Sequence, residues 1–256
     1  MNLGEKLRDK CVLVTGASSG LGEHFARLFA SCGANVAVTG RRIERLQKLS
    51  DNLRALGAPR AAAVEMDMLD AGSIERGFGQ VVEALGGVDA LVNNAGIASE
   101  GDAAEMPVEE FDAVMATNLR GVWIASAAAA RYWRNEKKPG TIVNIASVIG
   151  VRQARHVIAY ATSKAAVVQL TKTLALEWVR DKIRVNALAP GYFKTEINAA
   201  LFEGEAGHAL IKRIPMRRLG RMEELDAPML LLASDASSFM TGEVIAVDGG
   251  HLVSSL

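Results

Sequence analysis

CVLVTGASSGLGEHFARLF, residues 11–29, runs from an apolar strand pattern through a glycine-rich turn into a helical pattern. Cys11–Thr15 is nearly continuous in apolar residues, and Phe25, Leu28 and Phe29 recur at helical spacing. Gly16, Gly20 and Gly22 lie between them. Glycines remove side chains where a backbone must approach a phosphate, and the helix start that follows offers unpaired N–H groups and a positive dipole end. A phosphate-bearing ligand is implied. The spacing is G-x-x-x-G-x-G, not the commoner G-x-G-x-x-G, and the Lys of a P-loop is missing. A tight turn serving only close helix–strand packing is the other reading of these glycines.

Working outward, the same rhythm repeats. Apolar runs at 11–15, 35–39, 61–66, 88–93, 141–146, 183–188 and 243–247 alternate with helical patterns near 20–32, 43–56, 73–85, 107–136, 160–180 and 223–233. This predicts an α/β fold: a Rossmann-type, doubly wound parallel sheet of about seven strands with helices on both faces. Runs rich in Val, Ile, Leu and Ala suit strands covered on both sides. No linker or repeat interrupts the rhythm, so residues 1–256 are read as one domain. Only 192–220, polar and punctuated by Gly, departs from it and is expected to form a lid.

Composition narrows the function classes. With 29 Lys+Arg against 29 Asp+Glu, the chain lacks the footprint of a general nucleic-acid or anionic-membrane binder. The longest apolar run, Val122–Ala130, is far short of the roughly 20 residues a bilayer span needs. Charges in MNLGEKLRDK argue against an export signal. Cys11 and Cys32 read as small buried hydrophobes, which fits a reducing cytoplasm. No metal is expected.

Four further segments join the glycine turn in one resemblance. Asn93-Asn94-Ala95-Gly96 follows the fourth run, Tyr160-Ala161-Thr162-Ser163-Lys164 opens the fifth long helical pattern, Pro190-Gly191 follows the sixth run, and Val247-Asp248-Gly249-Gly250 lies near the end. Together with Thr15–Gly22 they resemble the classical short-chain dehydrogenase/reductase family over about residues 10–250. The resemblance implies a nicotinamide cofactor held by Gly16, Ser18, Ser19, Gly20, Leu21 and Gly22, by Asp67 and Met68 after the third strand, by Asn94, Ala95 and Gly96, by Tyr160 and Lys164, and by Pro190, Gly191 and Thr195. Asp67 is equally readable as a strand-end turn residue.

The chemistry suits the residue types. Hydride addition to a carbonyl leaves an alkoxide that needs a proton, and a phenol of pKa about 10 must be acidified to serve near neutrality. Three pKa units correspond to about 4 kcal/mol. A cation 4 Å away supplies roughly that at an effective dielectric of about 20. Tyr160 and Lys164, at i and i+4, share a helix face, and Ser147 stands at the carboxyl edge of the fifth strand, where open sheets place ligands. By resemblance, Tyr160 is the general acid/base, Lys164 lowers its pKa and holds the nicotinamide ribose, and Ser147 positions the substrate oxygen. Asn118, in Asn118-Leu119-Arg120-Gly121, matches the family residue that bends a helix around a relay water. Its alternative is a helix-interior Asn bonded to its own backbone.

The second strand ends Thr39-Gly40-Arg41-Arg42 with no acid before Glu44. An acid there would bind ribose hydroxyls, whereas Arg accommodates a 2′-phosphate. NADP(H) is therefore favoured over NAD(H), although Ser19 stands where the family often marks NADP(H) with Lys or Arg. Substrate groups are expected from 148–159 and from the segment after Pro190. Arg152, Arg155 and His156 could meet an acid, but a solvated basic loop is the plainer reading. Leu176 stands where acyl-carrier-protein reductases often carry Arg, which tilts away from a carrier-protein substrate. The resemblance further implies a homotetramer. The expected function is hydride transfer between a nicotinamide cofactor and the carbonyl or secondary alcohol of a small molecule. The alternatives are an NAD-dependent sugar or sugar-acid dehydrogenase of the same family and a non-catalytic nucleotide-binding subunit.

Overall fold

The computed structural model describes residues 2–195 and 199–254. Strands β1 (Cys11–Thr15), β2 (Asn35–Gly40), β3 (Ala61–Glu65), β4 (Ala90–Asn93), β5 (Gly140–Ile145), β6 (Ile183–Pro190) and β7 (Val244–Val247) form one sheet in the order β3-β2-β1-β4-β5-β6-β7. Every neighbouring pair is parallel. The order reverses between β1 and β4, so the connections leaving their carboxyl ends diverge and open a crevice.

Period-two alternation sends each strand into two cores. Val12 and Val14 meet Phe25 and Phe29 of α1 (Gly20–Ser31), Leu46 and Leu53 of α2 (Ile43–Leu56) and Met229 of the later helix Asp226–Ala233. Cys11 and Leu13 meet Ile74 and Phe78 of α3 (Ala71–Leu85), together with Trp133 and Trp178. Cys32 is only half-buried, unlike Cys11.

The expected helix over 107–136 is three pieces. α4 (Val108–Met115) and α5 (Gly121–Asn135) flank a π turn at Ala116–Arg120. A π turn slips the backbone hydrogen bonds by one residue, which periodicity does not reveal. α6 (Ile158–Trp178) packs on β6. The expected lid over 192–220 is also not a plain loop. It contains the helix α7 (Glu205–Arg213), followed later in the chain by α8 (Asp226–Ala233). Residues 196–198, part of that expectation, lie outside the described residues.

Polar side chains inside the core are paired along β4 and β5. Asn93 Nδ2 donates to Asn144 Oδ1 and to Ser126 Oγ, each at 2.9 Å, and Asn144 Nδ2 donates to Thr171 Oγ1 at 2.9 Å. The chain of bonds fixes α5 and α6 in register with the strand ends that carry the site. Thr171→Val removes the acceptor for a buried amide while keeping the shape, and should cost about 1–3 kcal/mol. Denaturant unfolding checks this, and an unchanged midpoint would show that the network contributes nothing.

Candidate active site

The glycine turn has the geometry of a cradle. Gly16 and Gly20 take φ of +64° and +61°, a region costly for other residues. A Cβ on Gly22 would lie 2.6 Å from the Gly16 carbonyl oxygen and 2.4 Å from Asn94 Nδ2, so α1 can start this close to β1 only with glycine. Ser19 caps α1 in an extended conformation without donating or accepting a side-chain cap bond. The first N–H groups of α1, including that of Leu21, thus have no side-chain cap, and the residues present fit a pyrophosphate.

Neighbouring loops lock the cradle. Thr15 Oγ1 accepts the N–H groups of Asn94 and Ala95 at 3.1 Å, and Asn94 Nδ2 donates to the carbonyls of Thr15 and Gly16 at 3.0 Å. Arg42 lies across the turn, its guanidinium donating to Ser18 Oγ at 2.7 and 3.0 Å and to Ser19 Oγ at 2.8 Å. Arg41 is exposed. Asp67 Oδ1 accepts the Leu69 N–H at 3.0 Å, as a turn residue does, and the Met68 side chain is buried against Gly121, leaving only its backbone for a ligand. Pro190 ends β6, and the Gly191 N–H donates to the Val247 carbonyl at 2.8 Å. Thr195 comes within ordinary contact of the space above Gly20.

The four expected catalytic residues converge. The Ser147 hydroxyl accepts the Ile149 N–H at 3.2 Å and lies near enough to Tyr160 to favour its ionised form. Lys164 is buried, donates from Nζ to the Ile145 carbonyl at 2.7 Å, and lies 5.7 Å from the Tyr160 ring centre. Asn118, fully buried in the π turn, makes a two-way amide contact: its Nδ2 donates to the Ile97 carbonyl at 2.8 Å and its Oδ1 accepts the Ile97 N–H at 2.8 Å. It bonds a distant loop, not its own helix backbone. Gly96 brings that loop against the catalytic groups, since a Cβ there would sit 3.2 Å from Asn118 Oδ1 and 3.6 Å from Lys164 Nζ.

The electrostatics correct one expectation. Burial, as the largest cause, raises the Tyr160 phenol above its ordinary value, the Ser147 hydroxyl opposes this, and Tyr192 adds to it. Lys164 does not dominate. Its own ammonium is desolvated, which lowers its pKa to about 8, and it faces a carbonyl oxygen. The phenol is therefore a protonated group held ready to donate.

Sequence reasoning missed Ser163, whose hydroxyl accepts from Asn118 Nδ2 at 3.0 Å and donates to the Tyr160 carbonyl at 2.8 Å. Its place at i+3 from Tyr160 was the available signal. Tyr192 and His251 were also missed; their rings meet edge-on at 5.3 Å. Two concavities flank the cluster. One of about 170 Å³ is lined by Tyr192, Phe193, Ile214 and Met216, and one of about 590 Å³ by the segment 149–156 and α6 residues such as Ala161. Tyr160 lines neither; it stands between the loops that form them.

A family model described as enoyl-(acyl carrier protein) reductase matches residues 16–251. The chain is 40% identical to 3beta-hydroxysteroid dehydrogenase 1 of Eggerthella lenta, over 96% of this chain and 95% of that protein. The structure of a short-chain type dehydrogenase/reductase from Mycobacterium marinum superposes with a TM-score of 0.91 at 41% identity, covering 96% and 97% of the two chains. That of a gluconate 5-dehydrogenase from Burkholderia cenocepacia, in complex with NADP and tartrate, does so with a TM-score of 0.94 at 33% identity over 100% of both. The chain belongs to the short-chain dehydrogenase/reductase family, and is an oxidoreductase of hydroxyl and carbonyl groups that uses a nicotinamide cofactor.

Burial of Lys164 makes a stability prediction. Because its folded pKa of about 8 lies below the ordinary 10.5, the folded chain binds fewer protons than the unfolded one between those values. Wild-type stability relative to Lys164→Met should therefore rise as pH climbs from roughly 7 to 9.5. Denaturation midpoints at the two ends check it, and a pH-independent difference would mean that the ammonium is not desolvated.

Proposed function

We propose that the chain interconverts the secondary alcohol and carbonyl of a small substrate with NADP(H) favoured over NAD(H), Tyr160 exchanging the proton. The observation that carries this reading is the meeting of the Ser147 and Tyr160 hydroxyls beyond the carboxyl end of β5, near enough for Ser147 to act on the phenol, with the buried Lys164 ammonium one helical turn from Tyr160. The bound cofactor supplies the hydride or accepts it. Ser147 orients the substrate oxygen toward the phenol, and Tyr160, protonated at rest, donates to that oxygen as negative charge develops on it. Lys164 places a desolvated positive charge beside the emerging phenolate and offers donors to the ribose. Asn118 holds the π turn open next to Lys164, the place where a relay to solvent would begin.

Gly16, Ser18–Gly22, Asp67, Met68, Asn94–Gly96, Pro190, Gly191 and Thr195 border the crevice and are assigned to cofactor contact. Arg42, already seated on Ser18 and Ser19, is assigned to the 2′-phosphate, with Arg41 exposed beside it. The reading of a single domain, with a lid that includes α7, is supported by one sheet with the site residues gathered at its carboxyl edge. Assembly as a homotetramer is supported by Trp123, Leu176 and Val179, apolar side chains exposed on and beside α5 and α6. A cytoplasmic setting accords with two free thiols.

Two measurements test the reading. Tyr160→Phe should lower kcat by roughly 10²–10⁴-fold with cofactor affinity retained; full turnover by the variant would remove Tyr160 from the chemistry. Arg42→Ala should weaken NADPH binding by about tenfold or more, the loss of a charge-assisted contact, and barely move NADH. Equal effects on the two cofactors would remove Arg42 from phosphate recognition.

A further inference from the structure

We propose that Arg152 is the receptor for a carboxylate on the substrate, so that the alcohol or ketone handled at Tyr160 belongs to a small hydroxy acid or keto acid. The inference rests on the reading of Tyr160 given above and adds the substrate's chemical class to it.

Arg152 follows Ser147 by five residues, across a short 3₁₀ turn at Val148–Gly150. Its Nη1 donates to the His251 carbonyl and, at 2.7 Å, to Ser254 Oγ. Both protons of Nη1 are thereby occupied, and the guanidinium is held against the C-terminal segment. The other edge of the fork, Nε and Nη2, has no hydrogen-bond or ion-pair partner among the described residues. That edge carries two parallel N–H donors, the pattern that a carboxylate accepts bidentately. Arg155 and His156, the other basic residues of this loop, are exposed, whereas Arg152 is half-buried. Only the latter departs from a solvated basic loop.

Among the described residues no carboxylate forms an ion pair with Arg152. Asp248, the acid of the adjoining segment, uses Oδ1 for the Gly250 N–H at 2.9 Å and Oδ2 for the Leu252 N–H at 2.7 Å. Glu224 is bound to Arg218 and to the Arg221 N–H. The segment that anchors Arg152 also reaches the reacting groups, because the His251 ring packs on Tyr192 and the charge on Tyr192 is felt at Tyr160. Arg152 and Arg213 both act on the Tyr192 phenol, each opposing the rise that burial causes there. A half-buried guanidinium preorganised on one edge and open on the other selects an anion with little side-chain ordering left to lose.

The test compares substrates matched in carbon skeleton and differing at the carboxylate: D-gluconate with D-glucitol, and 3-hydroxybutyrate with its methyl ester. Wild type is expected to favour the acid in kcat/KM by tenfold or more in at least one pair. In Arg152→Met that acid-over-neutral ratio should fall at least tenfold through KM, and Arg152→Lys should restore part of it. An equal loss on both members would make Arg152 a structural tether only, and no preference for either acid in wild type would overturn the proposal. If wild type turns over no member of the panel, the reading of Tyr160 fails, and calorimetric titration with D-gluconate decides the receptor separately. Binding that disappears in Arg152→Met would uphold it, and no binding to wild type would refute it.

Discussion

An ammonium buried at the end of a strand organises this molecule. Lys164 Nζ donates to the Ile145 carbonyl, the last residue of β5, and the side chain is buried. Gly150 lets that turn approach, since a Cβ there would lie 2.7 Å from the Lys164 carbonyl carbon. In so dry a place the charge interacts strongly with whatever shares it. The Ile145 carbonyl oxygen, the phenol one helical turn away and the Asn118 amide across Gly96 are among its neighbours. Such an arrangement is costly for stability, as the lowered Lys164 pKa shows, and strain of this kind is retained where chemistry needs it.

The two sides of the crevice are built differently. On the cofactor side, backbone and short polar side chains interlock: Thr15 with Asn94 and Ala95, Arg42 with Ser18 and Ser19. Little can move there. On the substrate side, the walls come from the loop after Ser147, the segment around α7 and the C-terminal segment, joined by few bonds such as the parallel bridge between Phe193 and Gly220. Members of one family can thus keep the first side and vary the second, which is why relatives as different as a steroid and a gluconate dehydrogenase share this fold.

Much of the fold was legible because its sheet is covered on both faces. Strands such as β1 and β5 must then be apolar throughout, and their runs stand out; Tyr160 and Lys164 share a helix face by spacing alone. The misses have physical reasons. The π turn at Ala116–Arg120 depends on the Asn118 amide meeting the Ile97 backbone, a contact between distant segments with no local signature. α7 is a polar helix of only nine residues that includes Gly207, too short to stand out from the Gly-punctuated segment around it. The raised Tyr160 phenol reflects burial, which spacing along the chain does not show, and the anchoring of Arg152 needs a C-terminal segment about a hundred residues away.

The central claim is that the Tyr160–Lys164 pair delivers and removes a proton within the ordinary working pH range. The most direct measurement is the pH profile of kcat/KM for alcohol oxidation by the wild-type enzyme. With the positive charge of the oxidised nicotinamide added beside the phenol, an apparent ionisation below about 10, with the rate rising as pH increases through it, is the result the account predicts. A rate indifferent to pH from about 6 to 10 would contradict it, since no proton acceptor would then be titrating at the reacting oxygen.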